Sequence, residues 1–165
     1  MEIIFVAGFI LLVLFFVAQA NPKKKVRTPK TTGIEHKKHE HLTTDNERKL
    51  FFALRKALSA KYLIHCQTSL IALVEPVEFR YKSKAWSKRV DFVITDTATK
   101  VIGVIELDDS THKQKKRIER DKYVNNAFED KHPLIRLPTK KFYEPKELAK
   151  TFEEKLGIEN IFSKK

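Results

Sequence analysis

Residues 89–108 read RVDFVITDTATKVIGVIELD, and this stretch decides the fold. Arg89 to Asp96 and Val101 to Asp108 are rich in Val and Ile, and Thr97-Ala98-Thr99-Lys100 between them has turn chemistry. β-branched side chains suit a pleated surface, so two such runs joined by a short turn predict a hairpin. Centring the turn between Ala98 and Thr99 places Ile94 opposite Gly103 and Asp91 opposite Glu106. Like charges facing each other repel, and both acids interrupt apolar runs where an unpaired charge is costly. A cation is therefore expected between them. Asp108 falls on the same face as Glu106, and a group of carboxylate oxygens suits a hard divalent ion such as Mg²⁺ or Mn²⁺. The competing explanation is structural ion pairing with Lys113, Lys115, Arg117 or Arg120.

Working outward from the hairpin, Thr44-Asp45-Asn46-Glu47 has the pattern of a capping box. Leu50, Phe51, Leu54, Ala57 and Leu58 then recur at helical spacing, which predicts a helix to about Ala60. Residues 62–70 carry Tyr62, Ile64 and Thr68 and predict a strand, whereas the stretch through Pro76 and Trp86 has no resolvable period. After Asp109, Ser110 and Thr111, a charged segment to about Lys131 places Ile118, Val124 and Phe128 on one helical face. Leu134 to Leu137 predicts a short strand ended by Pro138, and Pro145 opens a last helix that Gly157 stops near Leu156. The expected order is α-β-β-β-α-β-α.

That order and these acids resemble the PD-(D/E)xK nuclease superfamily, with Asp91 and Glu106-Leu107-Asp108 in the motif positions. The runs at residues 90–94 and 104–112, Arg120-Asp121 and Leu134 to Pro138 are more closely similar to the bacterial domain family of unknown function numbered 2726. That similarity spans residues from about 42 to 150, and members of that family often carry an amino-terminal membrane segment. The spacing of Asp91, Glu106 and His112 is also similar to that of very short patch repair endonucleases. The resemblance implies an α/β, restriction-endonuclease-like core (α-β-β-β-α-β) that hydrolyses phosphodiester bonds of DNA. It implies that Asp91 and Glu106 hold Mg²⁺ or Mn²⁺, with Glu47 adding a carboxylate and His112 acting as general base or phosphate contact. The bland alternatives are a capping role for Glu47 and a surface place for His112. Lys113, Lys115, Lys116, Arg117 and Arg120 would hold phosphates, or else form an ordinary solvated helix face. The superfamily usually places Lys two residues after the Glu. Here that position is Asp108, and Lys113 or Arg120 is expected to replace the lysine.

From Ile3 to Ala18 every residue is apolar or Gly, and Lys23, Lys24, Lys25 and Arg27 follow. This predicts a transmembrane anchor over residues 1–21, inserted through residues 3–20, with the basic flank and everything after it in the cytoplasm. The chain then reads as a single-pass protein of the bacterial inner membrane. Ala18-Gln19-Ala20 keeps open a signal peptide cleaved after Ala20, which would release a secreted basic domain. Residues 22–41, broken by Pro22, Pro29 and Gly33, read as a flexible basic linker whose residues 23–30 meet anionic lipid headgroups. Residues 42–165 remain for one α/β domain, which is itself basic, with 26 Lys and Arg against 18 Asp and Glu, a balance that favours polyanions. The single cysteine, Cys66, excludes an internal disulfide and a cysteine zinc ribbon. Two functions stay open: a membrane-anchored, Mg²⁺-dependent DNA nuclease, and a catalytically inactive nucleic-acid-binding or protein-interaction module of the same fold.

Overall fold

The computed structural model describes residues 33–108 and 115–163, with side chains from residue 118 onward in the second stretch. The expected anchor lies outside the described residues. Among them no helix is long and apolar enough to cross a membrane. The chain divides at Lys38, and His39–Lys165 is one compact unit. Residues 33–38, on the other side of that division, are exposed and form neither helix nor strand.

Helix α1 (Asp45–Ala57) starts where Thr44 and Glu47 form both halves of the capping box. It ends three residues before the expected limit. Leu58 turns extended and buries its side chain, and the chain reverses into β1 (Tyr62–Ser69). A 3-10 turn (Leu70–Ala72), a second one (Phe79–Tyr81) and the short helix α2 (Lys82–Trp86) fill the stretch that had no period. Strands β2 (Arg89–Asp96) and β3 (Val101–Asp108) follow, then α3 (Lys115–Phe128), β4 (Leu134–Pro138) and α4 (Pro145–Leu156). Gly157 closes α4 in the left-handed conformation that glycine adopts without strain.

The four strands form one mixed sheet in chain order, with β1–β2 and β2–β3 antiparallel and β3–β4 parallel. On one face Phe92, Ile94, Ile105 and Ile135 pack under Leu50 and Leu54 of α1 and Phe152 of α4. On the other, Val93 and Val104 pack against Val124 and Phe128 of α3 and Ala85 of α2. Ile118 departs from the expected face and is exposed, because it lies about 240° around the helix from Val124. Helix α4 approaches β3 closely enough that a Cβ on Gly103 would stand 2.7 Å from Leu156 Cδ2.

The hairpin register is the expected one from Phe92 opposite Ile105 to Ile94 opposite Gly103. Nearer the turn it slips, and Thr95 faces Val101. The turn is not centred as expected because the Asp96 carboxylate takes the N–H groups of Ala98 and Lys100, at 2.9 and 2.8 Å, while Thr99 goes left-handed.

Candidate active site

Regular pairing of β2 with β3 stops at Phe92 and Ile105. One step further, Asp91 Oδ2 accepts the Leu107 N–H at 2.7 Å, a side chain taking the place of a ladder bond. On its other side Asp91 lies level with Gln67 of β1, and pairing skips that position between Cys66–Phe92 and Thr68–Val90. Gln67 has a φ of +52°, a left-handed backbone that costs a non-glycine residue roughly 1–2 kcal/mol. The sheet thus opens around Asp91 on both sides.

Glu106 is 3% exposed, and its Oε1 has no hydrogen-bond partner among the described residues. Burial, and then the charge of Asp91, push its carboxyl up to about 7. Burial also raises Asp91, with the Leu107 N–H pulling the other way and Glu47 adding to the rise. Asp91 and Glu106, expected opposite each other, fall one step beyond the last paired residues, and the charge of Asp91 acts on Glu106.

Among the described residues the cation that reaches Glu106 is Arg120 of α3, whose Nη2 stands 3.7 Å from Oε2 and also donates to the Arg89 carbonyl at 3.2 Å. At 3.7 Å the guanidinium attracts the carboxylate without hydrogen-bonding it. Asp108 is committed elsewhere: Arg136 Nη1 binds its Oδ1 at 2.9 Å, and the rest of that guanidinium is held by Asn125 at 2.9 and 3.0 Å. Arg136 faces Glu106 across the β3–β4 pair. Sequence reasoning missed its role because parallel pairing across a long crossover leaves no local signal for register.

Glu47 binds the Thr44 N–H at 2.9 Å and accepts the Gln67 amide at 3.1 Å, so its capping role and its place at the site coexist. Glu47, Gln67, Asp91 and Arg120 line one cleft of about 500 Å³, together with Trp86, Lys88 and Arg89. A larger apolar groove of about 670 Å³, between Leu73, Tyr81, Tyr123 and His132, holds none of the carboxylates singled out from the sequence. Among the described residues no three His, Cys, Asp or Glu side chains are gathered tightly enough to form a ready-made metal cage. His112 and Lys113, and the side chains of Lys115, Lys116 and Arg117, lie outside the described residues. His36, His39 and His41 are exposed.

The fold and site define an α/β domain with a buried glutamate, one oxygen of which has no hydrogen-bond partner among the described residues, near a second strand carboxylate and bordered by guanidinium groups. The chain belongs to the family described as protein of unknown function (DUF2726), whose model matches residues 39–156. No curated protein and no solved structure gives a match to it.

Proposed function

We propose that the domain is a metal-dependent nuclease of the PD-(D/E)xK kind, hydrolysing phosphodiester bonds of DNA and tethered to the bacterial inner membrane by its apolar amino-terminal segment. The observation that carries this reading is Glu106, buried beside Asp91 with Oε1 unpartnered. A buried polar atom without a partner calls for a ligand, and two mutually repelling carboxylates suit a divalent ion with a preference for oxygen, Mg²⁺ or Mn²⁺. Asp91 and Glu106 would hold it, with Glu47 able to contribute from the cleft that Asp91 lines. When bound, the ion supplies an activated water and neutralises charge gathering on the phosphate.

The chain's own groups do the rest. The Leu107 N–H fixes Asp91, so its free oxygen has one direction to serve. Arg120 takes over the task of the lysine missing at position 108: its guanidinium is anchored on the Arg89 carbonyl and faces the same cleft, where a phosphate oxygen would complete its donors. His112 and Lys113 follow β3 closely in the chain and remain the proposed general base and second cation. Lys115, Lys116 and Arg117, at the start of α3, are the proposed contacts to DNA phosphates. The kinship with very short patch repair endonucleases belongs to this proposal. The inactive-module alternative rests on Asp108, which is tied to Arg136 where the superfamily has its lysine.

The test is cleavage of plasmid and single-stranded DNA in Mg²⁺ or Mn²⁺ by the full chain in mild detergent, beside Asp91→Ala and Glu106→Ala. Each substitution should cut the rate by at least the ~100-fold that losing an outer-shell partner of a metal can cost. The same background from all three proteins sinks the nuclease reading and leaves the inactive module.

A further inference from the structure

Leading into the first residue of β2, the chain reads FRYKSKAWSKR over residues 79–89, aromatic side chains interleaved with basic ones. The aromatic members are not core. Phe79 is 83% exposed, Trp86 66% and Tyr81 44%, in a domain that buries Phe92 and Phe152 completely. An exposed aromatic cluster has a cost in water, and one rimmed with charge marks a binding surface. Residues 75–89 carry five Lys and Arg against two Glu, a local excess of three positive charges. Two of the five are engaged in surface ion pairs, Arg80 with Glu78 and Lys82 with Glu75. Such pairs are weak and salt-screened, so a phosphate can displace them. Lys84 and Lys88 sit over the Tyr123 ring, at 4.5 and 5.6 Å from its centroid, with their ammonium groups on the surface beside the strip.

Continuity decides what this strip serves. Its end, Trp86 to Arg89, forms a wall of the cleft that contains Asp91, Glu47 and Arg120. We propose that residues 79–89 form a guide for single-stranded nucleic acid, in which Phe79, Tyr81 and Trp86 stack on unpaired bases while Lys84, Lys88 and Arg89 hold the phosphates. The strand is thereby led into the carboxylate cleft. Every base has a flat π-face, so aromatic platforms bind single strands with little regard to sequence, and a duplex hides those faces. This deepens the nuclease reading and rests on it for its purpose: the substrate is a single strand, or a duplex with an unpaired segment next to the scissile bond. Aromatic and basic side chains also suit an anionic lipid surface, but a membrane-facing strip would have no reason to end in the cleft wall.

Trp86 is the only tryptophan in the chain, so its emission reports on the strip directly. The full chain in mild detergent is titrated in EDTA, where cleavage plays no part, with a single strand of about 16 nucleotides and with the matching duplex. The single strand should quench Trp86 and bind more tightly than the duplex. Labelled-oligonucleotide anisotropy should show Phe79→Ala and Trp86→Ala each weakening single-strand binding about tenfold, with Trp86→Phe retaining it. Unchanged thermal melts would separate this loss from unfolding, since both side chains are exposed. Asp91→Asn should keep the quench while losing cleavage, so failure of the chemistry and failure of the guide are told apart. Three results overturn the guide: equal affinity for single strand and duplex, wild-type single-strand affinity in both alanine variants, or Trp86 emission that answers phosphatidylglycerol vesicles but no oligonucleotide.

Discussion

Replacing Glu106 with Gln should stabilise the protein above neutral pH while destroying its site. The group is almost fully buried, and burial, reinforced by Asp91, lifts its carboxyl from the ordinary 4.5 to about 7. Below about 4.5 both folded and unfolded chains hold the proton, and Glu106 contributes no penalty. Between 4.5 and about 7 the unfolded chain releases the proton and the folded one retains it. The folded state then binds more protons, so stability falls as pH rises through this window, and above it the loss is complete. The shift corresponds to roughly 3 kcal/mol at pH 8. Gln has no proton to lose and escapes that penalty. That figure already includes the attraction of Arg120, and the gain is reduced because the buried amide finds imperfect partners. A net gain of about 1–2 kcal/mol is expected at pH 8, which raises Tm by roughly 3–6 °C. At pH 5 the gain should nearly vanish. Circular-dichroism melts of both proteins in EDTA at the two pH values measure it, and repeating them in Mg²⁺ should stabilise the wild type alone. A Gln variant less stable than wild type at pH 8, or equally stabilised at both pH values, would refute a buried, strained carboxylate at this position.

Thr44→Ala removes the cap whose carbonyl end and hydroxyl start α1 and whose N–H steers Glu47; it should cost about 1 kcal/mol in denaturant unfolding. Gly103→Ala drives a methyl group into Leu156, and because the clash is with the far end of a side chain the loss should stay near 1 kcal/mol. Adding Leu156→Ala should remove the coupling between the two sites, which a double-mutant cycle of unfolding free energies reads directly.

Much of this fold was legible because local patterns and tertiary demands agree along most of the chain. The centre of the hairpin, from Phe92–Ile105 to Ile94–Gly103, pairs in the expected register, and Thr44, Pro145 and Gly157 begin and end helices where their chemistry says they should. The failures have physical causes. Asp96 rebuilds the turn through its own carboxylate, a tertiary detail that propensity does not encode. The stretch from Pro76 to Trp86 is held by one short 3-10 turn and one five-residue helix, too short to show a period, and its alternation of aromatic with basic residues was the signal to read instead. At the site, Asp91 and Glu106 were visible as acids in apolar strands. Gln67 was not, since nothing about glutamine announces a left-handed backbone, and Arg136 needed the β3–β4 register.

The local violations concentrate where the acids are, and that distribution bears on function. Core positions such as Phe92, Ile105 and Phe152 obey packing rules without exception. Within a few residues of Asp91, however, the sheet loses its pairing on both sides, a glutamine is held left-handed, and a glutamate is buried with an oxygen unpartnered. Each departure lowers stability, and strain of this kind persists where the surroundings over-determine it and the strained groups serve a purpose. A purely structural acid would be answered by a short arginine contact, as Arg136 Nη1 answers Asp108 at 2.9 Å. Among the described residues Glu106 receives no such contact: the Arg120 guanidinium stops at 3.7 Å and is anchored on a backbone carbonyl instead. The same sheet can therefore neutralise a carboxylate well, and does so two residues away. A Glu106 left short of a partner is what the proposed metal site asks of it, since a divalent ion would need those oxygens.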